Sequence, residues 1–320
     1  MCGIAAIVGP LCNEARLKKM GEVMHHRGPD DFNVWLGSEE KIGFSHTRLS
    51  IIDLVHGNQP MTTTGKRFIL SYNGEIYNYL ELQNELFSNY DLDWKAWTSS
   101  SDTEVLLYLI QKYGIDCLNK LNGMYAFTVW DEKDNILYAA RDRFGIKPLY
   151  YSYDGKNLII ASEIKAILAS GLKPVIDQGA LAEYIELQYC LGDKTLFKNI
   201  KRLLPGHYIK YDYYLNKINC IKYWEIPIGS DPEYNEEQCI EELSFLLHDS
   251  VHFRLRSDVP LGFHLSGGLD SSTICSIASK IQQNPLKTFT GGFDSDGYSE
   301  LEYAKSMADS SGSENFSIFP

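Results

Sequence analysis

The residue with the clearest chemical potential is Cys2, which directly follows the initiator methionine. Removal of Met1 would leave a thiol and a free α-amine on one residue, and an α-amine with a pKa near ~8 can serve as a base. A nucleophile that carries its own base at the chain terminus is a known means of activating a thiol. The alternative is a buried cysteine in an apolar strand, which is common. Taken alone, Cys2 favours the buried-cysteine interpretation.

The second candidate is the pair Asn73-Gly74, which follows a predicted strand over residues 67–72. Asn-Gly is the strongest two-residue signal for a hairpin turn, so a turn is the first interpretation. The residues after it, however, predict a helix and not a returning strand. An Asn side-chain amide beside a Gly backbone N–H is also the donor pair that an oxyanion hole needs. Both interpretations stay open at this point.

The third candidate is Asp102, which lies in a segment with the pattern of a helix capping box. Ser101 is the predicted N-cap, Glu104 follows three residues later, and an apolar run comes next. This pattern predicts a helix over residues 102–113. A carboxylate in the first turn of a helix near a cleft could also bind an ammonium group, so Asp102 has two compatible roles.

The fourth candidate is a Gly- and Ser-rich loop at residues 266–272, between a strand pattern at 259–265 and a helix pattern at 271–281. Successive backbone N–H groups at the start of a helix form a cradle for phosphates. The loop lacks the lysine of a Walker A loop and the G-x-G-x-x-G of a dinucleotide fold. A plain connecting loop fits less well, because strand, turn and helix occur in the right order. Asp270 would suit phosphates only if a divalent metal accompanied them.

The composition limits the classes of function. The chain of 320 residues is 44% hydrophobic and 22% charged, which is typical of a soluble globular protein with two domains or one large one. Its net charge of -12, from 30 basic and 42 acidic residues, argues against a nucleic-acid surface, because phosphate affinity comes largely from Lys and Arg. The apolar stretches are far shorter than the roughly 18 residues of a membrane span. We therefore expect no nucleic-acid partner and no membrane segment.

The cysteines and histidines do not predict a metal site. The 7 cysteines are widely spaced, form no C-x-x-C pair, and are odd in number, which argues against a disulfide framework and a Cys-rich zinc site. The 8 histidines include no H-E-x-x-H motif. These features favour a reducing, cytoplasmic location.

A strand-rich first domain must position the first three candidates. Apolar and β-branched runs predict strands at 4–8, 42–52, 67–72, 124–131, 135–142, 149–153 and 158–162. Helical patterns predict helices at 14–25, 77–87, 102–113 and 179–187. Strand-rich segments interleaved with a few helices predict an α+β layered domain with antiparallel sheets.

The amino-acid composition of the sequence changes after residue 204. The segment 205–235 is punctuated by Pro and Gly and predicts a linker. Beyond it, the patterns predict helices at 236–255, 271–281 and 300–310, with strands at 259–265 and 286–291. This order is the start of a parallel α/β sheet. An open α/β domain normally has more units, so residues 236–320 are expected to be part of a larger domain.

Short segments along the whole chain carry a family pattern. They are MCGI (1–4), HRGPD (26–30), RLSIID (48–53), NGEIYN (73–78), SDTE (101–104), LNGMYAF (121–127), RDRFGIKPLY (141–150), ASEIKA (161–166) and LPG (204–206). In this order, they resemble the glutamine-hydrolysing asparagine synthetases. Each segment alone is weak, but together they reverse the first interpretation of Cys2.

The resemblance implies an N-terminal-nucleophile (Ntn) glutaminase domain over residues 2–204, folded as a four-layer α-β-β-α sandwich. Cys2 would be the nucleophile, and Asn73 and Gly74 would form the oxyanion hole. Arg48 would hold the glutamine carboxylate through its bidentate fork, and Asp102 would hold the α-ammonium. The same glutamine pocket would be lined by Leu49, Ser50, Ile51, Ile52 and Glu75.

For residues 236–320 the resemblance implies the first part of an ATP-pyrophosphatase domain, a partial α/β parallel sheet that takes ATP with Mg²⁺. The residues carried over as ATP-binding are Leu265, Ser266, Gly267, Gly268, Leu269, Asp270, Ser271, Ser272 and Gly291. The family adenylates aspartate and delivers ammonia to it. The resemblance also implies a homodimer. The later synthetase residues of the family are not in this sequence, so we expect the synthetase half to be incomplete here.

Two alternatives stay open at the level of sequence. The acceptor could be a sugar or a peptide, because relatives with such acceptors share the glutaminase half. The chain could also be a silent module that only binds glutamine or a partner. The complete set Cys2, Arg48, Asn73, Gly74 and Asp102 argues against a silent module, because a decayed site should have lost some of these residues.

Overall fold

The computed structural model describes residues 1–89, 97–229, 235–292 and 299–319. The chain divides into two units, Met1–Pro227 and Ile228–Pro320. The strands of the first unit are β1 Gly3–Val8, β2 Asp31–Leu36, β3 Ile42–Arg48, β4 Met61–Thr62, β5 Phe68–Ile76, β6 Gly123–Asp131, β7 Ile136–Arg141, β8 Tyr150–Tyr153, β9 Leu158–Ala161, β10 Lys201–Arg202, β11 His207–Asp212 and β12 Lys217–Lys222. Its helices are α1 Glu14–Glu22, α2 Tyr79–Asn89, α3 Asp102–Tyr113, α4 Ile164–Ala169 and α5 Gln178–Leu187, with 3-10 turns at His25–Arg27, Ser38–Glu40 and Gly114–Lys120.

Two six-stranded sheets form the centre of the first unit. Sheet A has the order β10-β8-β9-β1-β3-β2, and sheet B has the order β12-β11-β7-β6-β5-β4. Alternate side chains of each strand face the other sheet. Ile4 of β1, Phe44 of β3, Ile69 of β5 and Trp130 of β6 meet in the core between the sheets.

Helices cover the outer face of each sheet. Leu17 and Met20 of α1 pack with Ile167 of α4 against β1 and β9 of sheet A. Leu86 of α2 and Leu106 of α3 pack against sheet B. The four-layer α-β-β-α sandwich that the family resemblance implied is therefore confirmed.

The segment expected to be a linker largely belongs to sheet B. β11 pairs with β7 and with β12, and its residues Ile209 and Tyr211 are 0% and 1% exposed. The linker prediction was wrong for residues 207–222. Tyrosines and β-branched residues favour strands near the edge of a sheet that are buried on one face only. Because the other face of such strands carries polar residues, their sequence resembles that of a polar linker. In the part of 205–235 that is described, the residues after β12 that form neither helix nor strand are 223–229 and 235.

The second unit contains α6 Glu236–Arg254, β13 Gly262–His264, α7 Leu269–Ile281, β14 Lys287–Gly291, α8 Leu301–Ser311 and β15 Glu314–Ile318. The three strands pair in parallel in the order β13-β14-β15. Val251, Leu265, Cys275 and Ala304 belong to its buried core. The predicted start of a parallel α/β sheet is thus confirmed, and β15 is an element that the sequence patterns did not predict.

No helix in the described ranges has the length and apolarity needed to cross a bilayer.

Candidate active site

Cys2 lies at the entrance of the space between the two sheets. It is two residues before Ile4, which faces sheet B, and strand alternation directs Cys2 to the same side. The Leu49 N–H donates to Cys2 Sγ at 3.4 Å, and Arg27 Nε donates to the Cys2 carbonyl oxygen at 3.0 Å. The next residue is also fixed, because the Gly3 N–H donates to Thr47 Oγ1 at 3.1 Å. The backbone of the candidate nucleophile is therefore held by the strand beside it.

Burial raises the pKa of the Cys2 thiol, while the Leu49 N–H, the chain's α-amine, Arg48 and Lys147 act in the opposite direction. The net pKa is raised, so the resting group is a thiol and must lose its proton when it attacks. Burial lowers the pKa of the α-amine of Met1. A terminal amine with a lowered pKa, close to the thiol, is the type of group that can take that proton.

Arg48 carries a buried positive charge with neutral partners. It is 5% exposed, and its guanidinium donates to the carbonyl oxygens of Asp53 at 2.5 Å and Ile52 at 3.4 Å, and to Asn58 Oδ1 at 3.3 Å. Among the described residues, no carboxylate oxygen lies within ion-pair distance of it. The loop carbonyls fix the guanidinium, and its charge is left for an anionic ligand.

The predicted strand 42–52 ends at Arg48, so residues 49–52 leave the sheet and are half-buried at the site. The Ser50 N–H donates to Asp30 Oδ2 at 2.8 Å. Further along this loop, the Asp53 carboxylate accepts from the His56 N–H at 2.8 Å and from the Ser100 N–H at 2.7 Å. The loop that follows Arg48 is thereby attached to the segment that leads into α3.

Asn73 and Gly74 lie inside β5, so the hairpin-turn interpretation is wrong. Asn73 pairs with Ala126 and Gly74 with Tyr125 of β6. A Cβ on Gly74 would lie 2.3 Å from the Met124 carbonyl oxygen, so the close approach of β6 requires glycine here. Asn73 is 1% exposed, and its Nδ2 is buried with no hydrogen-bond acceptor among the described residues. An unpaired buried amide is costly, and an oxyanion would satisfy it.

Asp102 lies at the same end of β5 as Glu75. It is 4% exposed, and its Oδ2 accepts from the Tyr72 hydroxyl at 2.7 Å and from the Ile76 N–H at 2.9 Å. Burial raises the pKa of the Asp102 carboxyl, and the Ile76 N–H and the Tyr72 hydroxyl oppose that rise. The structure places this carboxylate beside the strand of the oxyanion pair.

The helix predicted over 102–113 is confirmed, but only half of the predicted capping box forms. The Ser101 side chain caps α3 by accepting from the Thr103 N–H at 3.1 Å. The Glu104 carboxylate instead accepts from the N–H groups of Thr98 at 3.0 Å and Ser99 at 2.6 Å. Glu104 is buried, so its charge is better satisfied by two loop amides than by one cap amide.

The predicted phosphate loop lies at the carboxyl ends of two parallel strands. Helix α7 begins at Leu269, two residues before the predicted start, with Gly268 as its N-cap. The Ser266 and Ser271 hydroxyls are 3.1 Å apart and close the loop at 266–271. The Thr290 hydroxyl donates to the Leu265 carbonyl oxygen at 2.8 Å, which brings Gly291 to the same edge of the sheet. This edge is where open α/β sheets bind ligands.

Comparison with known proteins now identifies the family. Residues 1–224, most of the chain, match the family described as "Glutamine amidotransferase domain". The chain belongs to this family. Residues 242–319 of the chain also match the family described as "Asparagine synthase".

The curated relatives of the chain include asparagine synthetases. It is 37% identical to the glutamine-hydrolysing asparagine synthetase 1 of Bacillus subtilis (strain 168), over 99% of this chain and 50% of the relative. It is 38% identical to asparagine synthetase 3 of the same organism, over 91% of this chain and 48% of the relative. The chain therefore spans about half the length of these relatives. It is also 31% identical to Amidase chry2 of Gibberella zeae, over 90% of this chain and 44% of the relative. The predicted family resemblance is confirmed.

Solved structures support the fold of the amidotransferase. The allosteric regulatory enzyme of purine biosynthesis aligns with a TM-score of 0.54 at 15% identity, covering 99% of this chain and 80% of its own. Glutamine phosphoribosylpyrophosphate amidotransferase from B. subtilis aligns with a TM-score of 0.52 at 16% identity, covering 99% and 81%. At these identities the likeness concerns the fold only.

Lys147 belongs to one of the family motifs, RDRFGIKPLY (141–150), but the motif alone predicted no role for this residue in the site. Lys147 is 4% exposed, and its N–H donates to Asp142 Oδ2 at 2.9 Å. Burial lowers the pKa of its ammonium, and the charges of Glu75 and Cys2 oppose that shift. A buried lysine whose charge interacts with both Glu75 and Cys2 is part of the site's electrostatics. The only sequence signal for a buried, functional lysine was its position in the otherwise apolar run Ile-Lys-Pro-Leu.

Lys147→Met is expected to move the pH profile of Cys2 alkylation by iodoacetamide to higher pH. The Lys147 cation lowers the pKa of the Cys2 thiol, so its removal raises that pKa and reduces the thiolate fraction at neutral pH. The alkylation rate at neutral pH should fall severalfold, as measured by mass spectrometry of the Cys2 peptide. Lys198→Met, at an exposed position, is the control. An unchanged profile in Lys147→Met would contradict this assignment.

Proposed function

We propose that this chain hydrolyses the side-chain amide of glutamine at Cys2. The observation that carries the proposal is the buried Asn73 amide, whose Nδ2 has no acceptor among the described residues. It faces the same space between the sheets as Cys2 and Arg48. A thiol, an unpaired donor and an uncompensated guanidinium together fit an amide substrate that carries a carboxylate.

The reaction follows from these groups. With Met1 removed, the Cys2 amine takes the thiol proton as Sγ attacks the amide carbon of glutamine, and Asn73 and Gly74 stabilise the oxyanion. The amine returns the proton to the leaving nitrogen, ammonia departs, and a glutamyl thioester forms on Sγ. Water then attacks the thioester, releasing glutamate and restoring the thiol.

Substrate binding is assigned to the charged residues around this centre. Arg48 would hold the α-carboxylate and Asp102 the α-ammonium, with Glu75 and the half-buried residues 49–52 lining the pocket. The fixed guanidinium of Arg48 suits a carboxylate. A buried carboxylate such as Asp102 is better satisfied when a cation neutralises it.

We further propose that, in longer proteins of this type, the second unit takes ATP and aspartate accepts the ammonia as an aspartyl adenylate. Residues 265–272 and Gly291 lie at one edge of the parallel sheet, and the first turn of α7 favours an anion there. In the described ranges, no group of three His, Cys, Asp or Glu could hold a metal ion. We assign Mg²⁺ to the phosphates of the nucleotide, because Asp270 lies in the loop that would hold them.

A second acceptor class is favoured by one relative. The protein from Gibberella zeae that matches 90% of this chain is named an amidase and not an asparagine synthetase. Asparagine formation from aspartate, ATP and glutamine would support the first acceptor. In a longer protein of this type that carries the whole synthetase half, glutamate release without asparagine would support another.

The cellular location and the oligomeric state of the protein also remain proposals. A reducing cytoplasm is supported by seven cysteines that are all free thiols. A homodimer is supported by family likeness alone, and sedimentation equilibrium measures it.

The test is glutamate release from L-glutamine together with trapping of the thioester by hydroxylamine. We expect glutamate and ammonia in equal amounts, and γ-glutamyl hydroxamate when hydroxylamine competes with water. Glutamate release without any hydroxamate would reject the thioester. Neither product, from protein whose Met1 is removed, would reject glutamine hydrolysis and favour a module that only binds.

A further inference from the structure

A buried polar pair lies in the core between the two sheets. His46 Nδ1 and Ser71 Oγ are 3.0 Å apart, and the two residues are 1% and 0% exposed. His46 belongs to β3 of sheet A and Ser71 to β5 of sheet B. This hydrogen bond therefore connects the sheets across the core. Apolar side chains could fill the same space without the cost of burying two polar groups.

The strand register places this pair one pleat below the glutamine site. His46 is two residues before Arg48 on β3, and Ser71 is two residues before Asn73 on β5. Side chains two residues apart share a face of a strand. Phe44 of β3 belongs to the core between the sheets, so His46 and Arg48 face that space as well. Ile69 of β5 belongs to the same core, so Ser71 and Asn73 also face it.

The charge state of His46 suits a structural bond. Burial, together with the Arg48 cation, lowers the pKa of the imidazole to about 3. The ring is therefore neutral at physiological pH, with one nitrogen as donor and the other as acceptor. A neutral ring can bond Ser71 in a fixed direction without repelling Arg48. It takes no part in the proton transfers assigned to Cys2 and the α-amine.

We propose that the His46–Ser71 hydrogen bond is a cross-sheet brace that sets the spacing between Arg48 and Asn73. This inference rests on the proposed glutamine hydrolysis. Backbone pairing fixes residues within one sheet, but only contacts across the core fix one sheet against the other. Apolar contacts are non-directional, whereas a hydrogen bond prefers a narrow range of distance and angle. His46 and Ser71 are thus positioning residues for a carboxylate anchor on one sheet and an oxyanion donor on the other.

Ser71→Ala tests the brace, with Thr128→Val as its matched control. Thr128 lies opposite Ser71 in the β5–β6 register, and its hydroxyl is buried with no partner among the described residues. Each change removes one hydroxyl from the same layer, but only Ser71→Ala breaks the cross-sheet bond. We expect kcat/KM for glutamine to fall about tenfold in Ser71→Ala, through both a lower kcat and a higher KM. Thr128→Val should stay within about twofold of the parent chain.

Rates are expressed per Cys2 thiol that iodoacetamide can titrate, so a loss of folded protein does not count as a loss of catalysis. Ser71→Thr keeps the hydroxyl on a residue that suits a strand and should restore most of kcat/KM. Equal losses in Ser71→Ala and Thr128→Val would show a packing effect and overturn the brace. Parental kinetics in Ser71→Ala would overturn it as well.

A second measurement separates the brace from the proposed function. Backbone hydrogen exchange is followed in peptides that contain Arg48 and Asn73. We expect faster exchange there in Ser71→Ala than in Thr128→Val, whether or not glutamine is hydrolysed. If the parent chain releases no glutamate, the proposed function fails and this comparison alone decides the brace. Equal exchange in the two variants would overturn it.

Discussion

Replacing Cys2 with alanine is expected to abolish glutamate release, by about four orders of magnitude or more. In the proposed reaction the thiol forms the covalent bond to the glutamyl group, and we assign that step to no other described residue of the site. Leu49 N–H donates to Sγ and Arg27 holds the Cys2 carbonyl oxygen, so the sulfur is placed by the surrounding backbone. The measurement is glutamate formation at saturating glutamine. Because the change is small, the variant should keep the fold.

The matched control for this prediction is Cys190→Ala. Cys190 is a partly exposed free thiol, like Cys2, but it lies after α5 and contacts the Ala180 carbonyl oxygen. We expect parental activity in this control. Residual glutamate release in Cys2→Ala, or an equal loss in Cys190→Ala, would reject Cys2 as the nucleophile.

Asn73→Ala is expected to lower kcat for glutamine hydrolysis by about 10²–10³-fold, or roughly 2.7–4 kcal/mol of barrier. The Asn73 Nδ2 donor is fixed inside β5 and needs no rearrangement to meet a developing oxyanion. KM should change much less, because the negative charge on that oxygen develops in the transition state. Steady-state kinetics with glutamine give both values.

Asn73→Ala should also leave stability nearly unchanged. The amide nitrogen is buried without an acceptor among the described residues, so removing it breaks no hydrogen bond that the fold makes through that atom. We expect the free energy of unfolding to stay within about 1 kcal/mol of the parent value. Asn73→Asp keeps the size but replaces the donor with an acceptor, and should be at least as inactive. A large loss of stability with parental kcat would assign Asn73 to the fold and not to catalysis.

Local sequence patterns predicted most elements of the first unit. Residues 102–113 and 124–131 were predicted within a residue of α3 and β6, because long periodic or β-branched runs are strong local signals. The edge strands β2, β4, β10 and β12 and the strand β11 beside β12 were not predicted, because they are either too short or too polar on one face. Such strands form because a neighbouring strand offers backbone partners, and that information is not local.

In the candidate site, too, local motifs predicted some features, while others depend on residues distant in the chain. The motifs around Cys2, Arg48, Asn73 and Asp102 were identified in the sequence, and the described contacts bring their segments to one end of the sandwich. Asn73-Gly74 was first interpreted as a turn, because the local preference of Asn-Gly could not reveal a nine-residue pairing of β5 with β6. The hydrogen bond that the capping box predicted for the Glu104 side chain does not form, for a similar reason. Two loop N–H groups donate to its carboxylate instead.

Sequence motifs were sufficient to identify the family, the antiparallel layered first unit, the nucleophile candidate and the phosphate-loop candidate. They could do so because these depend on residue type and spacing along the chain. Three further features became visible in the folded chain: the charge of Lys147 acts on Cys2, residues 207–222 complete sheet B, and His46 contacts Ser71 across the core. These outcomes depend on which buried groups face one another. Burial and pairing between residues distant in the chain set the pKa of a thiol or the spacing of two sheets, and no local pattern encodes either.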